Sequence, residues 1–78
     1  MQIGRVLGSV WATKKDEQLN GLKFMTVSLN GTEMIAVDIV GSGVGDTVLI
    51  TLGSSARILS GYNIDAVICG IIDKIDNE

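Results

Sequence analysis

The apolar residues of this chain fall into short runs, and glycine-bearing turns cut those runs apart. Residues 22–29, 34–40 and 47–52 are the clearest such runs. Each is too short for an ordinary buried helix, which takes about ten to twelve residues or more, and each suits a strand. Asn20-Gly21 stands before the first run, Asn30-Gly31 between the first and second, and the glycine-rich stretch 41–46 before the third. Asn-Gly between two apolar runs predicts a two-residue hairpin turn of type I′. Proline is absent, and the apolar mass is Val, Ile and Leu, with Trp11, Phe24 and Tyr62 the only aromatic residues. That composition fits a pleated surface.

Two longer stretches complete the pattern. Residues 2–13 read as one long strand. Val6, Val10 and Ala12 share a parity with Gly4 and Gly8, while Ile3, Leu7 and Trp11 take the other, broken by Arg5 and Ser9. Gly8 in the middle predicts a bulge or bend. Residues 66–75 read as the last strand, with Val67, Cys69, Ile71 and Ile75 on one parity and Ala66, Ile68, Gly70 and Ile72 on the other. Between them, residues 53–59 are expected to hold one short helical turn, N-capped by Ser54 or Ser55. About five short strands with turns between them predict an all-β fold, a small barrel. A barrel asks for one apolar face per strand, and the first and last strands offer two. A surplus apolar face on a soluble domain marks an interface. Val10, Trp11, Ile71 and Ile72 are therefore expected to carry contacts between subunits.

Size points the same way. With 78 residues the chain is read as one domain over 1–78. A domain this small buries only about 60% of the surface its unfolded chain exposes. Small domains are reinforced by disulfides, a metal or partner subunits. Cys69 is the only cysteine, so no disulfide forms within the chain. There is no histidine, and one thiol does not make a zinc site, so no metal is expected. Partner subunits remain, in keeping with 46% hydrophobic residues and a mean hydropathy of +0.41. The formal net charge of −3 argues against nucleic acid and anionic membranes as partners. No apolar run approaches the roughly 20 residues of a helical membrane span. No signal-peptide pattern opens the chain, and with one free thiol a reducing cytoplasm is the expected compartment.

The motifs that invite chemistry have structural readings. Residues 41–47 suggest a phosphate loop, but a dinucleotide fingerprint needs glycine where Asp46 stands and a helix afterwards. A P-loop needs Lys at Asp46, and a carboxylate there repels phosphate. The alternative is a tight connection between strands in which Gly43 and Gly45 take positive φ. Gly53-Ser54-Ser55-Ala56-Arg57 could cradle an anion at a helix start; the weightier reading is a capped turn with Arg57 bonding a nearby carboxylate or carbonyl. Asn30-Gly31-Thr32 fits a glycosylation signal and is read as the hairpin turn. Cys69 lies in an apolar strand and reads as a buried small hydrophobe. Asp38, Asp65 and Asp73 flank strand ends, where a solvated or turn-capping role is the default. With no histidine and no base–nucleophile pair, no enzyme activity and no cofactor are expected.

Taken in order, these residues resemble a known family. The string Gly4-x-Val6-x-Gly8-x-Val10-x-Ala12-Thr13 opens the chain, and Gly21-x-Lys23-Phe24-Met25 follows. Ala36-Val37-Asp38-x-Val40-Gly41-Ser42-Gly43-x-Gly45-Asp46-x-Val48-Leu49 fills the centre. Gly53-Ser54-Ser55-Ala56-Arg57 and Asp65-Ala66-Val67-x-x-Gly70-Ile71-Ile72-Asp73 complete the set. In this order and spacing the chain resembles the EutN/CcmL family of bacterial microcompartment vertex proteins. The resemblance implies a five-stranded, OB-like barrel that forms a cyclic homopentamer. It implies a place at the vertices of a polyhedral shell whose facets are hexameric shell proteins. It also implies that the loops Gly41, Ser42, Gly43, Gly45, Asp46 and Gly53, Ser54, Ser55, Ala56, Arg57 lie near subunit interfaces or the five-fold axis. Family members often carry Ala at Ser42 and Glu at Asp46. The alternative function is an OB-like module binding single-stranded nucleic acid, which needs a basic groove with stacking aromatics. Six Lys or Arg against nine Asp or Glu, with three scattered aromatics, speak against it.

Overall fold

A computed structural model describes residues 1–77. Its strands are β1 (Gln2–Val10), β2 (Lys23–Leu29), β3 (Thr32–Asp38), β4 (Thr47–Leu52) and β5 (Ala66–Ile71). One helix, α1 (Gly53–Ser60), joins β4 to β5, and a 3-10 turn at Glu17–Leu19 interrupts the polar loop after β1. The strands close into a barrel in the order β1-β2-β3-β5-β4, with every neighbouring pair antiparallel except β3 and β5. The five-stranded barrel with one short helix is the expected all-β fold.

Alternation builds the core. Val6, Met25, Val27, Leu29, Ala36, Val48, Ile50, Ala66 and Ile68 are buried inside the barrel. Gly4 sits among them because β1 passes close to its neighbours there. A Cβ at Gly4 would stand 2.6 Å from Ile50 Cδ1 and 2.9 Å from the Ser28 carbonyl oxygen. The hairpin between β2 and β3 turns on Asn30 and Gly31, both at positive φ (51° and 78°), as a type I′ turn requires. The expected irregularity near Gly8 is present. Val6 pairs with Val27 and Gly8 with Thr26, so Leu7 is the extra residue of a bulge.

Strand ends differ from the sequence reading, and pairing explains why. Residues 11–13 do not extend β1, because β2 begins at Lys23 and Val10 already faces Phe24. β3 begins at Thr32 because the two-residue turn sets Thr32 against Leu29 at once. It ends at Asp38, whose side chain turns the chain. β5 stops at Ile71 because β4, its partner, starts at Thr47; only the Ile72 N–H reaches on, to the Thr47 carbonyl (2.8 Å). Residues 72–75 are therefore not strand.

The helix is eight residues long, and neither Ser54 nor Ser55 caps it. Leu52 holds the N-cap position without a side-chain bond, and the Gly53 N–H is satisfied by the Asp65 carbonyl (2.9 Å). The helix ends at Gly61, in the left-handed region at φ 77°, with its N–H on the Arg57 carbonyl. α1 packs on β4 and β5 through Ala56, which accounts for the burial of Thr51 and Val67 on the barrel's outer side.

Candidate assembly surface

The glycine-rich connection from β3 to β4 is organised by two carboxylates. Asp38 takes the turn-capping one of the two roles expected at a strand end, and it does so buried rather than solvated. Its Oδ1 accepts from the N–H groups of Val40 (3.1 Å) and Gly41 (3.2 Å), and its Oδ2 from Ser42 (2.8 Å). Lys23 lies 3.1 Å from Asp38 Oδ2 and donates to the Ser42 carbonyl at 2.6 Å. Burial pushes the Asp38 carboxyl up, but the Val40 amide, the Lys23 ammonium and the Ser42 amide outweigh it and hold the group below its ordinary value. Asp46 closes the second half, its Oδ2 accepting from the Gly43 N–H at 2.8 Å. Two backbone bonds then clamp the loop to β1, from Val6 N–H to Asp46 and from Gly45 N–H to Val6, each 2.9 Å. The amides an anion would use are occupied by the loop's own acceptors. Gly45 takes positive φ (91°) as expected, whereas Gly43 does not, because the Asp46 cap holds it in an ordinary conformation.

The loop residues differ in exposure, and the other residues expected at subunit contacts lie outside the loop. Gly41 and Gly45 are exposed, Ser42 is buried, and Gly43 and Asp46 are half-buried. Ser54, Ser55 and Arg57 are exposed on α1, Gly53 is half-buried and Ala56 is buried. Arg57 takes part in none of the ion pairs among the described residues and makes no side-chain hydrogen bond there. Trp11 is 91% exposed, Val10 and Ile72 are half-buried, and Ile71 is exposed. Ile71 pairs with Val48 at the last position of β5. Cys69 is half-buried at the irregular step of the β4–β5 ladder, its thiol 3.6 Å from the Leu49 carbonyl.

The structure also brings out a recess that sequence reasoning missed. β3 joins β5 only at Val37 and Asp38, so the first half of β3 stands away from β5 and the chain before it. The gap, about 460 Å³, is lined by Phe24, Ile35, Val37, Ile64, Arg57 and Asp65 among others. Its signal was present in residues 34–37, where Met34 and Ala36 face the core while Ile35 and Val37 offer a second apolar parity. Among the described residues no group of three or more His, Cys, Asp or Glu could hold a metal ion, and no helix is long and apolar enough to cross a membrane.

A closed barrel with apolar side chains exposed on several sides defines a subunit shaped for protein contacts. The family model described as ethanolamine utilisation protein EutN/carboxysome matches residues 1–73, and the chain belongs to this family. It is 37% identical to the bacterial microcompartment shell vertex protein GrpN of Rhodospirillum rubrum, over 97% of both chains. It is 39% identical to the shell vertex protein PduN of Salmonella typhimurium, over 96% of this chain and 98% of that one. The solved structure of the Rhodospirillum rubrum GrpN, a pentameric microcompartment shell protein, superposes with a TM-score of 0.90 at 38% identity, covering both chains fully.

Proposed function

We propose that this chain is a structural subunit of a bacterial microcompartment shell, assembling as a homopentamer that occupies the shell's vertices. The observation that carries the reading is full-length similarity, in sequence and in fold, to a shell protein that is pentameric. The physical logic supports it. A flat layer of hexameric shell proteins closes into a polyhedron only where five-fold units replace six-fold ones. A ring of identical subunits joins two different patches of each neighbour, and this barrel exposes Ile3, Ile35, Trp11 and Ile58 to solvent on its own. In the ring, Val10, Trp11, Ile71 and Ile72 contribute subunit contacts. The loops 41–46 and 53–57 lie near the interfaces or the axis, and the compartment sits in the cytoplasm. The role is scaffolding, not catalysis.

Native mass spectrometry tests the ring directly. The expected mass is five times the 8.2 kDa subunit. A stable monomer or dimer at micromolar concentration overturns the reading. Co-expression with hexameric shell proteins is expected to give closed shells, and their absence with a pentamer present argues against the vertex role.

A further inference from the structure

Asn-Gly occurs twice in the chain, at Asn20-Gly21 and Asn30-Gly31, and all of these residues are exposed. An Asn followed by glycine is open to one reaction that needs only water. The glycine nitrogen attacks the Asn Cγ, and no side chain on the glycine hinders its approach. A bond forms between that nitrogen and Cγ, the Cγ–Nδ2 bond breaks, and the glycine amide proton leaves with Nδ2 as ammonia. Water then opens the cyclic imide at either carbonyl, giving Asp or isoaspartate. Ring closure requires the glycine nitrogen to swing past the Asn side chain, by rotation about the Asn Cα–C bond.

The two pairs differ in whether the fold permits that rotation. A Cβ built at either glycine meets nothing within 4 Å, so space does not separate them. Conformation does. Asn20 (φ −64°, ψ 138°) and Gly21 (φ 83°) are the central residues of a type II turn. One backbone bond closes it, from the Leu22 N–H to the Leu19 carbonyl at 3.3 Å. Flipping the Asn20–Gly21 peptide toward type I, by way of extended backbone, carries the Gly21 nitrogen past the Asn20 side chain, and the φ of Asn20 suits both turn types. Asn20 itself bonds through its backbone N–H, to the Glu17 carbonyl (3.2 Å), and its side chain enters no hydrogen bond among the described residues. Asn30 lies at φ 51° in the type I′ hairpin turn. The same flip there leads to type II′, whose first central position belongs to glycine. The β2–β3 ladder fixes both ends of that turn, pairing Leu29 with Thr32. Asn30 Nδ2, the nitrogen that would leave, donates to Gln2 Oε1 at 3.1 Å.

We infer that Asn20-Gly21 is a site of slow self-modification by deamidation, and that the fold withholds the same reaction from Asn30-Gly31. The reading goes beyond the shell role and needs only the folded subunit. Each event replaces a neutral amide with a carboxylate close to Asp16 and Glu17, on a chain whose net charge is already −3. The modified residue stands between the 3-10 turn and β2, outside the barrel core, so the fold survives the change.

Peptide mapping by mass spectrometry during incubation of the wild-type protein at neutral pH tests the inference. In the folded protein Asn20 is expected to convert to Asp and isoaspartate, with Asn30 slower by about tenfold or more, because its turn must open first. In urea that unfolds the chain the two rates are expected to converge. Asn20→Gln is expected to abolish the acidic species that ion exchange separates from the native wild type, since attack on the longer side chain closes a less favourable ring. Equal native rates at the two sites overturn the inference, as does an acidic species that persists in Asn20→Gln. An Asn20 rate that rises in urea as steeply as that of Asn30 overturns it too, because the fold would then shield both sites. A pentamer by native mass whose Asn20 does not react overturns this inference and leaves the ring reading intact; a wild-type monomer whose Asn20 reacts does the reverse.

Discussion

Asp38 is the residue on which the glycine-rich loop depends. Three amides and one ammonium converge on a carboxylate with no exposed side-chain surface. Asp38→Asn keeps the shape, removes the charge and turns an acceptor into a donor. It is expected to cost about 2–3 kcal/mol, as loss of hydrogen bonds to a charged group does, measured by chemical denaturation at pH 7. The pH dependence follows from the depressed carboxyl. Its stabilisation is complete above the unfolded value of about 3.9 and disappears as pH falls through the lower native value. The wild-type melting temperature should therefore drop in that window more steeply than that of Asp38→Asn; parallel profiles would refute the assignment. Ser42 makes the opposite case. Its hydroxyl is buried and makes no hydrogen bond of good geometry, although it stands near enough to the Asp38 carboxylate to favour the charged form, so Ser42→Ala is expected to change stability by no more than about 1 kcal/mol. A melting temperature lowered by several degrees would show that the hydroxyl has a partner after all. The two loop glycines should also part company. Gly45→Ala forces a side chain into positive φ and should cost about 1–2 kcal/mol. Gly43→Ala has open space, with only Asp46 Oδ2 near at 3.9 Å, and should be close to neutral.

At the level of elements, the sequence revealed what depends on neighbours along the chain and concealed what depends on neighbours in space. The Asn30-Gly31 hairpin, the bulge beside Gly8 and β4 at residues 47–52 were legible because turn chemistry and alternation are local. The ends of β1 and β5 were not, because a strand stops where its partner does, and residues 11–13 and 72–75 look as strand-like as those before them. The missing serine cap of α1 was illegible for a related reason: the Asp65 carbonyl, twelve residues on, takes the place of a local side chain. The loop's glycines were visible, but not the assignment of positive φ among them, which the Asp38 and Asp46 bonds decide. The recess was half legible. Both parities of residues 34–37 are apolar, yet only the divergence of β3 from β5 opens a gap beside them. Gly4 gives an element-scale prediction. β1 can cross β2 and β4 only without a side chain there, since the Ser28 carbonyl is backbone and cannot move aside. Gly8 meets only the movable Thr26 side chain, at 3.2 Å. Gly4→Ala should destabilise by about 1–3 kcal/mol, the range for overpacking a core, and Gly8→Ala by clearly less. Equal unfolding midpoints for the two would mean that β1 has room to shift.

For the whole molecule, the decisive distinction is between what folds the barrel and what assembles it. The interior set is complete without a partner: Val27, Val48, Ile50 and Ile68 are all 0% exposed in the single subunit. The apolar side chains left outside, Ile35 among them, add nothing to that interior. Folding and assembly are therefore expected to fail separately. Val27→Glu buries an unpaired charge in the core, which no rearrangement of neighbouring subunits can relieve, and should give an unfolded chain by circular dichroism. Ile35→Glu leaves the core untouched and places its charge in the apolar recess beside β3, on a side chain the single subunit leaves exposed. It should give a folded monomer, with the far-ultraviolet spectrum of the wild type and one fifth of its native mass. Lowering the concentration of the wild-type protein is expected to reach the same folded monomer, because the barrel's own core does not depend on the ring. If Ile35→Glu instead unfolds the chain, folding and assembly are one step, and the surface apolar residues belong to the stability of the barrel itself. If it leaves a pentamer unchanged, the exposed recess takes no part in holding the ring.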